Sequence, residues 1–324
     1  MRRFLGLILL LVVFGQMKAN SALLEPETYW GMCDASAGVA LDDTHFVVAD
    51  DESNVLRIYK RGEANPIHEH DFSKFLEAKH GETDLEGAAR VGNRIYWISS
   101  HGRDRQGRLA PKRQRFFATD IHGKSGLKLE HAGKPYENLL TDLLAEARFT
   151  RYGFAEASLI SPKQPGGLNI EGMCARPDGS LLIGFRNPVP AGKGLLVPLL
   201  NPNEVIEGGH AKFGDAIELD LGGFGVRDIS PSGPDKYLII AGSRDGIKTF
   251  RLYSWNGTKA EQIPSDFFAH LNPEAIFRFE RDAPGVFQIL SDDGGKRVSG
   301  VLCKDLPEES RRFRAGEIRL EVGR

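Results

Sequence analysis

The 324-residue sequence predicts an all-β fold, a single β-propeller of five blades with short helical insertions. Three observations point there. A short acidic motif recurs ahead of strand pairs. The motif spacing fits four-stranded blades of about 40–50 residues. Glycine is abundant, at 37 residues, as a fold rich in tight turns requires. Hydrophobic residues make up 41% of the chain, enough for a large core and too many for a disordered polymer. Three cysteines cannot staple a fold of this size.

The clearest pair of motifs is Asp84-Leu85-Glu86-Gly87 and Asn169-Ile170-Glu171-Gly172. Each precedes a turn and an apolar strand, Ile95–Ser99 and Leu181–Phe185. Looser copies begin near Asp34, Val226 and Pro273 and precede strands at 45–50, 237–242 and 286–291. The onsets near 34, 84, 169, 226 and 273 are spaced by 50, 85, 57 and 47 residues. Five motifs mean five blades, with room for a sixth if the long gap hides a degenerate one. Within that gap, Pro135 to Phe149 carries leucines at helical spacing, and Asp71 to Ala78 reads as a shorter helix. Outer strands follow at 55–59, 115–119 and 249–255, the last running into the hairpin turn Asn256-Gly257. A two-domain β-sandwich protein is the rival, but it gives no reason for the acidic motif to recur.

The N-terminus reads as an address. Met1-Arg2-Arg3, the apolar run Phe4 to Gly15 and the small-residue exit Ala19-Asn20-Ser21-Ala22 form a secretory signal peptide over residues 1–22. The apolar run is shorter than the roughly 20 residues a membrane span needs. The expectation is an exported protein, periplasmic or extracellular, with residues 23–324 as one propeller domain and no membrane span after signal removal. No lipobox cysteine follows the exit. In a closed ring Cys33 and Cys303 could meet, though sequence alone pairs nothing. Cys174, in an apolar stretch, reads as a buried free thiol.

Net charge is −2, and −5 once the basic leader is discounted. That argues against nucleic acid as a partner. A monomer acting on a small anionic molecule is expected. No HExxH, zinc-finger spacing, GxSxG elbow, P-loop or dinucleotide fingerprint occurs.

In a propeller the first strand of each blade lines the channel. Hairpin geometry brings the start of that strand and the end of the next to one edge. Asp34, Glu86, Glu171, Asp228 and Glu274 should therefore ring one mouth of the channel. They face a second set, Asp50-Asp51, Ser99-Ser100-His101, Arg186-Asn187, Ser243-Arg244 and Asp292-Asp293. Crowded carboxylates need a cation, an arginine partner or raised pKa values. Three roles follow: structural pairing with arginine, a calcium site held by Asp34, Glu86, Glu171 and Glu274, or acid/base catalysis by Glu86, Glu171, Asp228 and Glu274. His101, Arg186 and Arg244 would then contact substrate. The segment Arg103 to Arg115, with six cations against one acid, could overhang the same face. That arrangement suits metal-assisted hydrolysis of an anionic phosphoester. A non-catalytic binding or scaffold propeller is the alternative.

The motifs Asp34-Ala-Ser-Ala-Gly, Asp50-Asp51-Glu52-Ser53-Asn54, Asp84-Leu-Glu-Gly, Ser99-Ser100-His101-Gly102, Asn169-Ile-Glu-Gly-Met and Gly225-Val-Arg-Asp together resemble the bacterial domain-of-unknown-function family thirty-six sixteen. The resemblance runs over nearly all of the chain after the leader. It implies a secreted propeller and brings no activity with it. The Glu-Gly signatures are also similar, more distantly, to the secreted "esterase-like activity of phytase" propeller group. That likeness implies phosphoester chemistry and transfers no catalytic residue.

Overall fold

Short apolar runs, buried on both faces in the inner strands, and frequent turn signals produce five four-stranded antiparallel sheets. They are seen in a computed structural model that describes residues 25–78, 81–123, 127–162, 164–243, 248–264 and 266–320. The expected signal peptide lies outside the described residues, as does Arg244. Blade 1 holds β2 (Ala35–Ala40), β3 (His45–Asp50), β4 (Val55–Lys60) and β5 (His68–Asp71). Blade 2 holds β6 (Leu85–Val91), β7 (Arg94–Ser99), β8 (Phe116–His122) and β9 (Lys128–Tyr136). Blade 3 holds β10 (Asn169–Ala175), β11 (Leu181–Asn187), β12 (Gly194–Leu199) and β13 (Ile217–Leu219). Blade 4 holds β14 (Gly225–Gly233), β15 (Lys236–Gly242), β16 (Phe250–Trp255) and β17 (Ala260–Ile263).

Blade 5 closes the ring from both ends of the described chain. It runs from β18 (Pro273–Phe277) through β19 (Val286–Ser291) and β22 (Arg312–Arg319) to β1 (Glu27–Trp30) at its outer edge. A small hairpin, β20 (Arg297–Val298) and β21 (Val301–Leu302), projects from this blade. Beside it the Cys33–Cys303 disulfide bolts the closure across 270 residues of chain. Cys174 is a buried free thiol.

Two helical expectations change. The 135–149 segment is helical only as α1 (Leu139–Ala145), because Pro135 and Tyr136 end β9 instead and a 3-10 turn takes over at Ala147. Leu139, Leu140 and Leu143 of α1 face the core between blades 2 and 3. The 71–78 segment forms turns, not a helix, because Asp71 completes β5 by pairing with Val55. Among the described residues the long gap holds the extended outer strand β9, α1 and α2 (Phe154–Ala157) and no sixth blade.

The five first strands touch in a closed order, β2 to β6, β10, β14, β18 and back to β2. Each makes the same irregular pairing with its neighbour. After the entry residue, one extra residue bulges out of the ladder: Ser36, Glu86, Glu171, Arg227 and Glu274. Such bulges bend a strand and re-aim one side chain. The residue after the bulge is Ala37, Gly87, Gly172, Asp228 or Ala275, small in four of five blades because the next first strand passes close by. A Cβ on Gly87 would sit 2.8 Å from Ile98 and 3.2 Å from Met173, and one on Gly172 would sit 3.1 Å from the Asp228 Cα. The recurring Glu-Gly pair is thus a structural unit: a bulge that turns an acid, then a gap for the adjacent strand.

The ring seam gives the first prediction. Closing a loop of this length strongly restricts the unfolded chain. Replacing both Cys33 and Cys303 by serine should cost about 2–5 kcal/mol and lower Tm by roughly 5–10 °C. A thermal melt of the double variant beside the wild type checks it, and an unchanged Tm would place the ring's stability elsewhere.

Candidate site at the channel mouth

The bulges bring the expected residues to one end of the channel, but they divide them by charge. In blades 3 to 5 the acids are neutralised internally. Glu171 is buried, accepts from the Asn169 amide at 2.6 Å and is hydrogen-bonded to Arg186. Arg227 is ion-paired with Glu274 and lies 3.4 Å from Glu171 through its Nε. Burial pulls the Arg227 pKa down, while the Glu171, Glu86 and Asp292 charges oppose that. A buried pair of this kind resists removal of one partner, at about 3–5 kcal/mol. Arg186, expected to contact substrate, is instead buried against Glu171.

Asp228 is not the counterpart of Glu86 and Glu171. The register makes Arg227 the bulged residue of blade 4 and leaves Asp228 in the inter-blade position that glycine or alanine takes in the other blades. Its carboxylate accepts the Ile276 N–H at 2.7 Å and so stitches blade 4 to blade 5. Burial raises its pKa well above the ordinary value. In blade 1 the bulged residue is Ser36, whose hydroxyl donates to the Leu85 carbonyl at 2.5 Å across the blade boundary.

The acid-rich half of the mouth lies between blades 1 and 2. Asp51 is at its centre. Single carboxylate oxygens of Asp34, Asp51 and Glu52 lie within 4.8 Å of one another, and so do those of Asp51, Asp84 and Glu86. Asp51 Oδ1 is buried and makes no hydrogen bond. Burial, then the Glu86, Asp34, Asp84 and Asp50 charges, hold its pKa well above the carboxylate range. Asp34 is pushed up to about 8 by burial and the charges of Asp292, Asp50 and Glu52, with Lys304 opposing. Asp50 is raised to about 6, again chiefly by burial. Asp84 adopts a left-handed backbone, with φ of 56°, a conformation aspartate tolerates better than most residues.

The cationic segment after β7 does overhang this end. Arg105 and Arg113 line a small cavity of about 30 Å³ with Asp51, Asp84, Glu86 and Asn169. Arg113 bridges Asp84, at 3.0 Å, and Glu82, while Arg105 reaches Glu52 at 3.1 Å. Arg115 turns outward to Glu137 and Arg108 pairs within its own loop with Asp104. His101 lies beneath the mouth rather than on its surface. It is buried, its Nδ1 is 2.8 Å from the Ser99 carbonyl, and burial lowers its pKa to about 4.

Buried polar atoms without a hydrogen bond gather at this end: Asp51 Oδ1, Ser99 Oγ, His101 Nε2, Asn169 Oδ1 and both amide atoms of Asn187. Native structures leave few such atoms without a water, an ion or a functional reason. The Glu-Gly pattern located Glu86 and Asp34 but passed over Asp51 and Asp84 as principal groups. The doublet Asp50-Asp51 at a strand end, and an acid two residues before Glu86, were the available signals.

The raised Asp34 carboxyl has a definite sign. Its pKa is higher in the folded chain than the ordinary 3.8. The stability this confers is complete below about pH 4 and is lost as pH rises through about 8. In EDTA, Tm should fall between pH 6 and pH 9, and Asp34→Asn should flatten the fall. Melting curves across that range check it. A Tm independent of pH in both proteins would contradict the crowding of Asp34.

A search of curated proteins finds no match to the chain. Among solved structures, the Kuenenia stuttgartiensis hydrazine synthase is similar at 9% identity and TM-score 0.37; the alignment covers 81% of this chain, and the chain spans 57% of that protein. The β-propeller domain of Myceliophthora thermophila Cps50 (Swd1) is similar at 9% identity and TM-score 0.40, covering 93% of this chain and 99% of that one. The WD40 β-propeller domain of Doa1 is similar at 11% identity and TM-score 0.33, covering 87% and 68%. The family model described as "Protein of unknown function (DUF3616)" matches residues 112–320, more than half of the sequence, and the chain belongs to that family.

Proposed function

We propose that the channel mouth is a divalent-cation site of the calcium type, held by Asp51 with Asp34, Asp84 and Glu86, and that the protein is an exported, metal-assisted hydrolase of an anionic ester, with phosphoesters the leading class. The carrying observation is Asp51: a buried carboxylate oxygen with no hydrogen bond, surrounded by other carboxylates. Oxygen-only donors of this kind suit a hard cation. Of the residues first expected to hold it, Asp34 and Glu86 keep that role. Glu171 and Glu274 give it up, since Arg186 and Arg227 already balance them.

A bound cation would supply Lewis acidity toward an ester oxygen. The chain's own contribution is position and charge. Arg105 and Arg113 border the cavity, where a guanidinium can take up an anionic oxygen in a planar, two-point contact. The Asn169 carbonyl oxygen, an acceptor, and the Asn187 amide, both buried without a hydrogen bond, offer neutral hydrogen bonds at this end. The Cys33–Cys303 disulfide supports an oxidising destination. The paired half of the ring favours a second reading, a binding or scaffold propeller without turnover, in which blades 3 to 5 serve closure alone.

Millimolar calcium should raise Tm by about 5 °C over EDTA if its concentration is about 100 times Kd. Asp51→Asn should abolish that shift. Hydrolysis of a phosphoester panel should depend on the added metal and fall at least a hundredfold in Asp51→Asn and Glu86→Gln. A calcium shift without turnover of any ester would leave the binding propeller as the answer. No shift would remove the metal site.

A further inference from the structure

The opposite end of the channel is built from the same five strands and has different chemistry. Beyond the bulges, the first strands continue through Gly38 and Ala40, Ala88 and Ala89, Met173 and Cys174, Ile229, and Ile276 and Phe277. Here they enclose a cavity of about 450 Å³ that is mostly apolar. That volume falls in the range of small-molecule sites, about 300–1,000 Å³. It stays open because the wall positions are small: the four positions named here on the first two strands are one glycine and three alanines. None of these residues belongs to the acid mouth.

Four charged side chains border this cavity: Asp42, Arg90, Arg278 and Glu280. Two are already committed. Asp42 accepts the N–H groups of Thr44 and His45 at 2.7 and 2.8 Å and lies 2.8 Å from His45 Nδ1. Arg90 donates to the carbonyls of Gly92, Ala40 and Leu41. Glu280 is exposed to solvent. Arg278 differs from these. Its Nη2 donates to the Asp282 carbonyl at 3.2 Å, but its Nε is buried and makes no hydrogen bond. A buried donor left unmet costs about 1–3 kcal/mol, and a ligand acceptor would recover that. A carboxylate is the natural acceptor for a guanidinium, because the hydrogen bond is charge-assisted.

We infer that this end of the channel binds a small amphiphilic monocarboxylate, with the apolar body inside the cavity between the first strands and the carboxylate at Arg278. The apolar walls give affinity in proportion to the surface they cover, and the Arg278 guanidinium sets orientation. The acid mouth plays no part in the binding.

The cavity carries its own reporter, because Met173 lines it while Met32 is fully buried in another core cluster. The full chain, labelled at the methionine methyl groups, is titrated with decanoate and separately with decanol. The Met173 signal is identified by its loss in Met173→Leu. Decanoate should shift the Met173 methyl saturably at one site and leave Met32 in place. Arg278→Gln should weaken decanoate at least tenfold and leave decanol binding as in the wild type. Absence of a saturable Met173 shift with decanoate would overturn the inference. So would an unchanged decanoate affinity in a folded Arg278→Gln protein.

Discussion

Everything at the centre of this molecule follows from one steric constraint: five first strands must pass one another around a narrow axis. The strands meet this constraint with a bulge and then a small residue. The bulge turns one side chain at the channel mouth in each blade, and the small residue admits the neighbouring strand. At the one position that is not small, Asp228, the side chain takes up a backbone N–H of the next blade and becomes a stitch between blades. Packing and polar chemistry are therefore not separate layers. The same two positions per blade close the ring and decide which charge the mouth carries.

The consequence is a mouth of two halves. Blades 3 to 5 place Glu171, Arg227 and Glu274 in sequence around the axis, with Arg186 beside them, and the charges cancel. Blades 1 and 2 place Ser36 and Glu86 at the bulges, and the acids come instead from the flanking positions Asp34, Asp51 and Asp84. Arg113 and Arg105 reach in from the long loop of blade 2, but each is shared with a second acid or sits near the rim. Burial with this excess of like charge keeps Asp34 and Asp51 above the carboxylate range. Elevated carboxyl groups in a cleft are a mark of a functional site as well as of strain. The Ser99 hydroxyl and the Asn169 carbonyl oxygen, each buried without a hydrogen bond, lie at the same end of the channel.

Much of the fold was legible in the sequence. The five blades and the gathering of Asp34, Glu86, Glu171 and Glu274 at one end of the channel follow from motif spacing and strand pairing, whereas the entry of β1 into blade 5 does not. Pairing of Cys33 with Cys303 was left open and is settled by the closure of blade 5, where β1 joins β22. What the sequence did not disclose was register. A bulge shifts which residue of a motif turns into the channel. Arg227 rather than Asp228 is thus the member of the ring, a distinction no composition or period contains. Charge pairing with arginine was one of three roles open in the sequence, and the ion pairs of Arg186 with Glu171 and Arg227 with Glu274 take it up in blades 3 to 5. The helical expectation at 71–78 gave way to a split: Asp71 joins the β4–β5 ladder, and the residues after it close hydrogen-bonded turns, Leu76 N–H to Phe72 and Ala78 N–H to Ser73.

The central claim is that the cation belongs between blades 1 and 2 and not at the neutralised half of the ring. Anomalous diffraction from crystals grown with terbium, a calcium-like ion, tests it directly. The account predicts a single strong peak within about 2.3–2.6 Å of the Asp51 carboxylate, with Asp34, Asp84 or Glu86 completing the set. A peak lodged between Glu171 and Glu274, or a mouth with no peak at saturating terbium, would contradict it.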